Sequence, residues 1–164
     1  MVANRITNMN GPGVLLQTDG TAGFAKLPVL RLPDETASSQ NHVHGNWFTD
    51  NNNYHLILKN TTESWVYDNY FGTKKGESPV YADNYTAAST KFEAPGAPVR
   101  LMEGESNVVG GEWLAGNWWC DDGGHATTNA SHDGVGADRP YVVNKSAGAV
   151  DRLPLFIRNN YGMC

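Results

Sequence analysis

The sequence predicts an all-β protein. The expected architecture is a β-sandwich or jelly-roll-like domain of short antiparallel strands over residues 41–164, with an extended N-terminal arm over residues 1–40. Three observations carry this. Apolar residues nowhere repeat at the helical period over a dozen positions. Gly 18, Pro 8 and 17 asparagines in 164 residues supply many turns and leave little room for long helices. The apolar and aromatic residues fall in runs of four to eight with high strand propensity.

The arm is read first. Asn10-Gly11-Pro12-Gly13 is turn chemistry, Val14-Leu15-Leu16 is a short apolar run, and Thr18-Asp19-Gly20-Thr21 is a second turn. In Leu27-Pro28-Val29-Leu30-Arg31-Leu32-Pro33 the prolines remove ladder donors, which suits an edge strand or an extended segment. Val14, Leu15, Leu16, Leu27, Val29, Leu30 and Leu32 are therefore candidate interface residues. An arm reaching a neighbouring subunit and an arm folded on its own domain are both open.

The strands follow. Asn41 to Phe48 is one candidate. Tyr54-His55-Leu56-Ile57-Leu58-Lys59 places Tyr54, Leu56 and Leu58 on one face. With the turn Asn60 to Glu63 and the aromatic run Ser64 to Phe71, it reads as a β-hairpin. Residues 73–98 are loop-rich, anchored by Tyr81, Tyr85 and Phe92. Val99 to Met102, Tyr141 to Asn144 and Leu153 to Arg158 are later strands. No internal repeat is expected.

The most chemically loaded stretch is Gly110 to Gly124, with Trp113, Trp118, Trp119, Cys120, Asp121 and Asp122 between two Gly-Gly pairs. On a continuous strand Trp113 and Trp119 share a face and Trp118 opposes them, unless Gly116-Asn117 breaks the parity. The rings read first as core and second as an interface, since tryptophan is enriched in both settings. A further reading is a glycan surface, in which Trp47, Trp113, Trp118 or Trp119 stack on sugars and Asp121 and Asp122 hold hydroxyls or calcium.

Net charge is −5 and the basic residues are scattered, so no stripe exists to displace counterions from nucleic acid. No apolar run is long enough to cross a membrane. The start lacks the apolar segment of a secretory signal, which gives an expectation of synthesis in the cytoplasm. Under that expectation the two cysteines, Cys120 and Cys164, are read as free thiols, although a disulfide closing a long loop is the alternative. It also leaves the N-x-S/T motifs at Asn60, Asn84, Asn129 and Asn144 as chance occurrences.

His42 and His44, two apart, face the same way on a strand and form a candidate metal pair with no third ligand fixed by spacing. The acidic loops at Asp121-Asp122 and Asp133 to Asp138 lack EF-hand spacing and read as turns. Ser131-His132-Asp133 are sequence neighbours, which triad residues rarely are. Glu103, Glu105 and Glu112 could pair as acid and base, but spacing sets no carboxylate separation. The expectation is a protein without catalytic residues or cofactor.

In its Pro/Gly-punctuated start, short aromatic strands and Asn/Thr/Gly-rich surface, the chain resembles small virion proteins of tailed bacteriophages, of the capsid decoration (cement) type. The resemblance implies a β-sandwich or jelly roll, self-association with a trimer favoured, and an arm laid on a capsid or tail lattice. It brings no catalytic residues.

Overall fold

The computed structural model describes residues 4–7, 9–17, 38–52, 54–72, 79–120 and 139–155. Of the arm's other candidate residues, Leu27, Val29, Leu30 and Leu32 lie outside this set, as do Asp121, Asp122, Ser131, His132, Asp133 and Cys164.

The protein is all-β, with fifteen short strands and one six-residue helix among the described residues. The strands are β1 (Arg5–Thr7), β2 (Val14–Gln17), β3 (Ser38–Ser39), β4 (His42–His44), β5 (Trp47–Thr49), β6 (Leu56–Lys59), β7 (Thr61–Thr62), β8 (Trp65–Tyr67) and β9 (Tyr70–Phe71). They continue with β10 (Val80–Ala82), then helix α1 (Asn84–Ser89), β11 (Val99–Arg100), β12 (Trp113–Leu114), β13 (Trp118–Trp119), β14 (Tyr141–Asn144) and β15 (Ala149–Asp151).

The strands pair mainly in parallel, against the antiparallel expectation. One sheet runs β1-β5-β9-β13 and another β10-β6-β2, while β3 pairs with β7 and β4 with β8, all parallel. Among the described residues only β11–β12 and β14–β15 are antiparallel. The polypeptide winds in stacked coils: β3, β4, β5 and β6 make one coil, and β7, β8, β9 and β10 repeat it below. The expected hairpin over 54–71 does not form, because β6 and β8 belong to different sheets. Each lies instead over its own counterpart in the adjacent coil.

The corners explain the coiling. Gln40 and Glu63, in equivalent positions of successive coils, have φ of 56° and 49°, and Gly45 and Asp68 have 65° and 51°. A left-handed residue turns the backbone sharply between strands of two to four residues, and glycine adopts it at least cost. β1 and β2 form a first coil above β3–β6, making β3–β6 the second coil, β7–β10 the third and the one that holds β13 the fourth, so residues 5–7 and 14–17 of the expected arm are strands of the sheets. The fourth coil is split: a bond from Ala94 N to Ala115 O (2.8 Å) closes the base of an excursion over 95–114 that carries β11 and β12.

A ladder of asparagines runs through the coils. Asn4 Nδ2 donates to Asn46 Oδ1 (3.0 Å), Asn46 Nδ2 to Asn69 Oδ1 (3.0 Å) and Asn69 Nδ2 to Asn117 Oδ1 (2.9 Å). Asn117 Nδ2 then donates to Asp151 Oδ2 (3.3 Å). Asn46, Asn69 and Asn117 are fully buried, and each amide satisfies polar atoms that coil corners would otherwise leave unpaired. The expectation of no internal repeat is thereby corrected: Asn46-Trp47-Phe48, Asn69-Tyr70-Phe71 and Asn117-Trp118-Trp119 occupy one position in three coils.

Aromatic stacks run beside the ladder on both faces of the β1-β5-β9-β13 sheet. Inside, Phe48 lies on Phe71 (5.1 Å), Phe71 on Trp119 (4.8 Å) and Trp119 on Tyr141 (4.1 Å). These belong to the main core with Val43, Leu56, Leu58, Val66, Val80 and Phe92. On the other face Trp47 lies on Tyr70 (3.6 Å) and Tyr70 on Trp118 (4.4 Å). A second core covers that stack, drawn from Val108, Val109 and Trp113 of the excursion and from Leu153 and Leu155. Trp113 therefore packs with Trp118, not with Trp119, because β12 and β13 are separate strands with Gly116-Asn117 between them.

Cys120 sits buried in that second core and is disulfide-bonded, which corrects the reading of free thiols. The physical setting is the return of the backbone over coil four, where Leu155 N donates to Asn117 O (2.8 Å).

Candidate interaction surface

Within the β10-β6-β2 sheet the pleat sorts side chains cleanly. Val14, Leu56 and Val80 are in register and buried, as are Leu58 and Ala82, with Leu16 half-buried against them. The alternate register is Leu15, Ile57 and Tyr81. These three point outward. Leu15 is 50% exposed and Tyr81 38%, with Ile57 half-buried between them. Solvent-facing positions of a one-sided sheet are ordinarily polar. Here they form an apolar column running across three coils, broadened by Tyr54, whose ring lies 5.4 Å from that of Tyr81. Lys59 borders it, its ammonium 5.7 Å from the Tyr81 ring centroid.

The column is held rigidly. Asn51, 3% exposed, accepts from Met9 N (3.1 Å), donates to Ile6 O (3.0 Å) and bonds His55 Nδ1 (3.1 Å). Since Asn51 Nδ2 is the donor, His55 Nδ1 accepts and Nε2–H donates to Gly72 O. Burial lowers the His55 pKa, with the Gly72 bond opposing it, and keeps the ring neutral. At the other end Asp83 caps α1 by accepting from Thr86 N (2.9 Å), fixing the exit from β10.

A second outward face belongs to β4 and β8. His42 stacks on Trp65 (5.0 Å) and His44 on Tyr67 (4.7 Å). His42 is exposed, His44 and Trp65 half-buried, and burial lowers the His44 pKa. The two histidines do share a face, as their spacing predicts, yet no group of three or more His, Cys, Asp or Glu that could hold a metal exists among the described residues.

The other candidates are dispersed. Trp118 and Trp119 are 2% and 3% exposed with ring faces closed by Tyr70, Phe71 and Tyr141, so neither offers a face to a sugar. Trp47 and Trp113 are half-buried in the second core. Glu103, Glu105 and Glu112 line an open pocket of about 600 Å³ around β11 and β12. Glu112 is held by Arg100 (2.8 Å) and Glu105 accepts from Met102 N (3.3 Å), all of them solvent-exposed. The sequence offers Tyr81 only as an anchor of the loop-rich segment and Ile57 only as a strand residue, because an alternating strand shows only which residues oppose, not which side is covered. Aligning the coils in register would have identified them.

No helix among the described residues is long and apolar enough to cross a membrane. Comparison with protein-family models, with curated proteins and with solved structures finds no match for this sequence.

Proposed function

We propose that this protein is a non-enzymatic structural protein of a virus particle surface, binding and stabilising a capsid or tail assembly as a homo-oligomer. The observation that carries the reading is the outward apolar column Leu15–Ile57–Tyr81 on a rigid parallel stack. Leu15 and Tyr81 leave much of their apolar surface to solvent in a single protomer, and contiguous apolar surface of this kind marks contacts between proteins. The Asn ladder and paired ring stacks suit a part under mechanical stress, because each coil is locked to the next by buried hydrogen bonds. The partners on this reading are other copies of the protein, a trimer favoured, and capsid or tail subunits; the site of action is the virion.

The experiment is size-exclusion chromatography with light scattering on the wild type and on a Leu15→Lys, Tyr81→Glu double variant. Both positions face outward, so circular dichroism is expected to be unchanged. The wild type is expected as an oligomer and the variant as a monomer. A wild type that stays monomeric at high micromolar concentration overturns the self-association, and equal particle binding by both proteins overturns the role of the column.

A glycan-binding module is the second reading, and its support now lies at β4 and β8, where His42 and Trp65 form a partly open stacked pair. A glycan array with the Trp65→Ala variant as control separates the two.

A further inference from the structure

We propose that Asn10 is a site of spontaneous deamidation, built into the turn that joins β1 to β2, and that the buried ladder asparagines Asn46, Asn69 and Asn117 are protected from it by the fold. Of 17 asparagines only Asn10 precedes glycine. The reaction needs the next residue's backbone nitrogen to reach the carbonyl carbon of the asparagine amide, and a following side group obstructs that approach. A Cβ built at Gly11 meets nothing within 4 Å, so the site is open. Asn10 is itself exposed. Asn52 Nδ2 donates to Asn10 Oδ1 (3.1 Å), which draws electron density from the carbonyl carbon and stabilises negative charge developing on that oxygen.

In the ladder the required nucleophiles are occupied. Trp47 N donates to Asn4 O (2.7 Å), Tyr70 N to Asn46 O (2.8 Å) and Trp118 N to Asn69 O (2.8 Å), and the side-chain amides of Asn46, Asn69 and Asn117 that these nitrogens follow are buried and multiply bonded. At Asn10 the Gly11 nitrogen, losing its proton to hydroxide, attacks Asn10 Cγ. A new C–N bond forms, the Cγ–Nδ2 bond breaks, and the amide nitrogen leaves as ammonia. Water then opens the succinimide at either carbonyl, giving aspartate or isoaspartate. The net change is amide plus water to acid plus ammonia, with no redox step.

Either product places a carboxylate on the top coil, and isoaspartate also lengthens the backbone by one carbon. Met9, next in sequence, ties that coil down through Met9 N to Asn51 Oδ1 (3.1 Å) and Asn52 N to Met9 O (3.0 Å). The modification therefore loosens the coil that carries Leu15.

The test incubates the folded full-length protein at mildly alkaline pH and follows it by peptide mass mapping and isoaspartyl methyltransferase labelling. Conversion is expected at Asn10 alone among the described asparagines. Gly11→Ala, which fits the open space, is expected to slow it several-fold, and Asn52→Ala to slow it by less, with circular dichroism unchanged in both. An Asn10 that stays intact while other described asparagines convert overturns the proposal. So does a Gly11→Ala variant that reacts as fast as wild type; an unaltered rate in Asn52→Ala overturns the polarising role of Asn52.

Discussion

Asn69 sits at the middle of the ladder, bonded to the coils above and below it. Its Nδ2 lies within hydrogen-bonding distance of Val43 O (2.9 Å), Tyr67 O (2.9 Å) and Asn117 Oδ1 (2.9 Å). Its Oδ1 accepts from Asn46 N (3.2 Å) and Asn46 Nδ2 (3.0 Å). Leucine matches its size but strands these groups without water. Each buried group left unpaired costs about 1–3 kcal/mol, so Asn69→Leu is expected to lose ~3 kcal/mol or more of stability, read as a lowered urea midpoint. Asp151 at the foot of the ladder is equally confined. It accepts from Asn117 N (2.7 Å), Trp119 Nε1 (2.8 Å) and Leu153 N (3.1 Å), and a Cβ on Gly116 would collide with its carboxylate. An unchanged urea midpoint in Asn69→Leu would mean the ladder is ornament.

At the scale of elements, strand existence was legible and strand pairing was not. Leu56 and Leu58 inward with Lys59 outward follow from alternation alone. Alternation does not say whether a neighbour runs parallel or antiparallel, and strands of two to four residues are too short to signal a crossover. Only the repeat could have done so. It was written in Asn46-Trp47-Phe48 and Asn69-Tyr70-Phe71, 23 residues apart, but the next ladder steps are 42 and 48 residues, because segments are inserted between coils. The unequal spacing hides the period, and the tryptophan-rich stretch then looks like an isolated cluster when it is the last copy of a motif. One of those insertions is pinned by a single carboxylate: Asp68, at a left-handed corner, accepts from Val108 N (2.7 Å). Asp68→Asn keeps both the corner preference and an acceptor and is expected to be near neutral. Asp68→Ala loses the acceptor and adds the ~1–2 kcal/mol cost of a left-handed Cβ residue. Its expected signs are faster proteolysis within 95–114 and a red shift of tryptophan fluorescence as Trp113 and Trp118 gain water. Equal behaviour of the two variants would remove Asp68 as the pin.

Across the whole molecule the buried acids set how stability varies with pH. Burial raises the Asp151 pKa to about 7, outweighing the N–H donors that favour its carboxylate, and raises that of Asp68 to about 6. Both lie above the unfolded carboxylate value, so the folded protein holds the protons more tightly. Their contribution is fully present below the unfolded value near 4 and is lost as pH rises through about 6 and then about 7. The buried His55 acts oppositely: its pKa is lowered, so its contribution is present above the unfolded value and is lost as pH falls through the folded one. From these three groups stability is expected to peak in mild acid and to decline toward about pH 8, since of the three only the acids still titrate above the ordinary histidine value. Each tenfold change in proton affinity is worth ~1.4 kcal/mol, so Asp151, wholly buried, accounts for a difference of a few kcal/mol between the two ends of that window. Urea unfolding at stepped pH reads the curve directly. Asp151→Asn, which cannot ionise, is expected to be less stable than the wild type in mild acid and to show a flatter decline on the alkaline side. A wild-type curve that climbs steadily toward alkaline pH would mean that the ladder ends in a carboxylate stabilised as the anion, with the N–H donors outweighing burial.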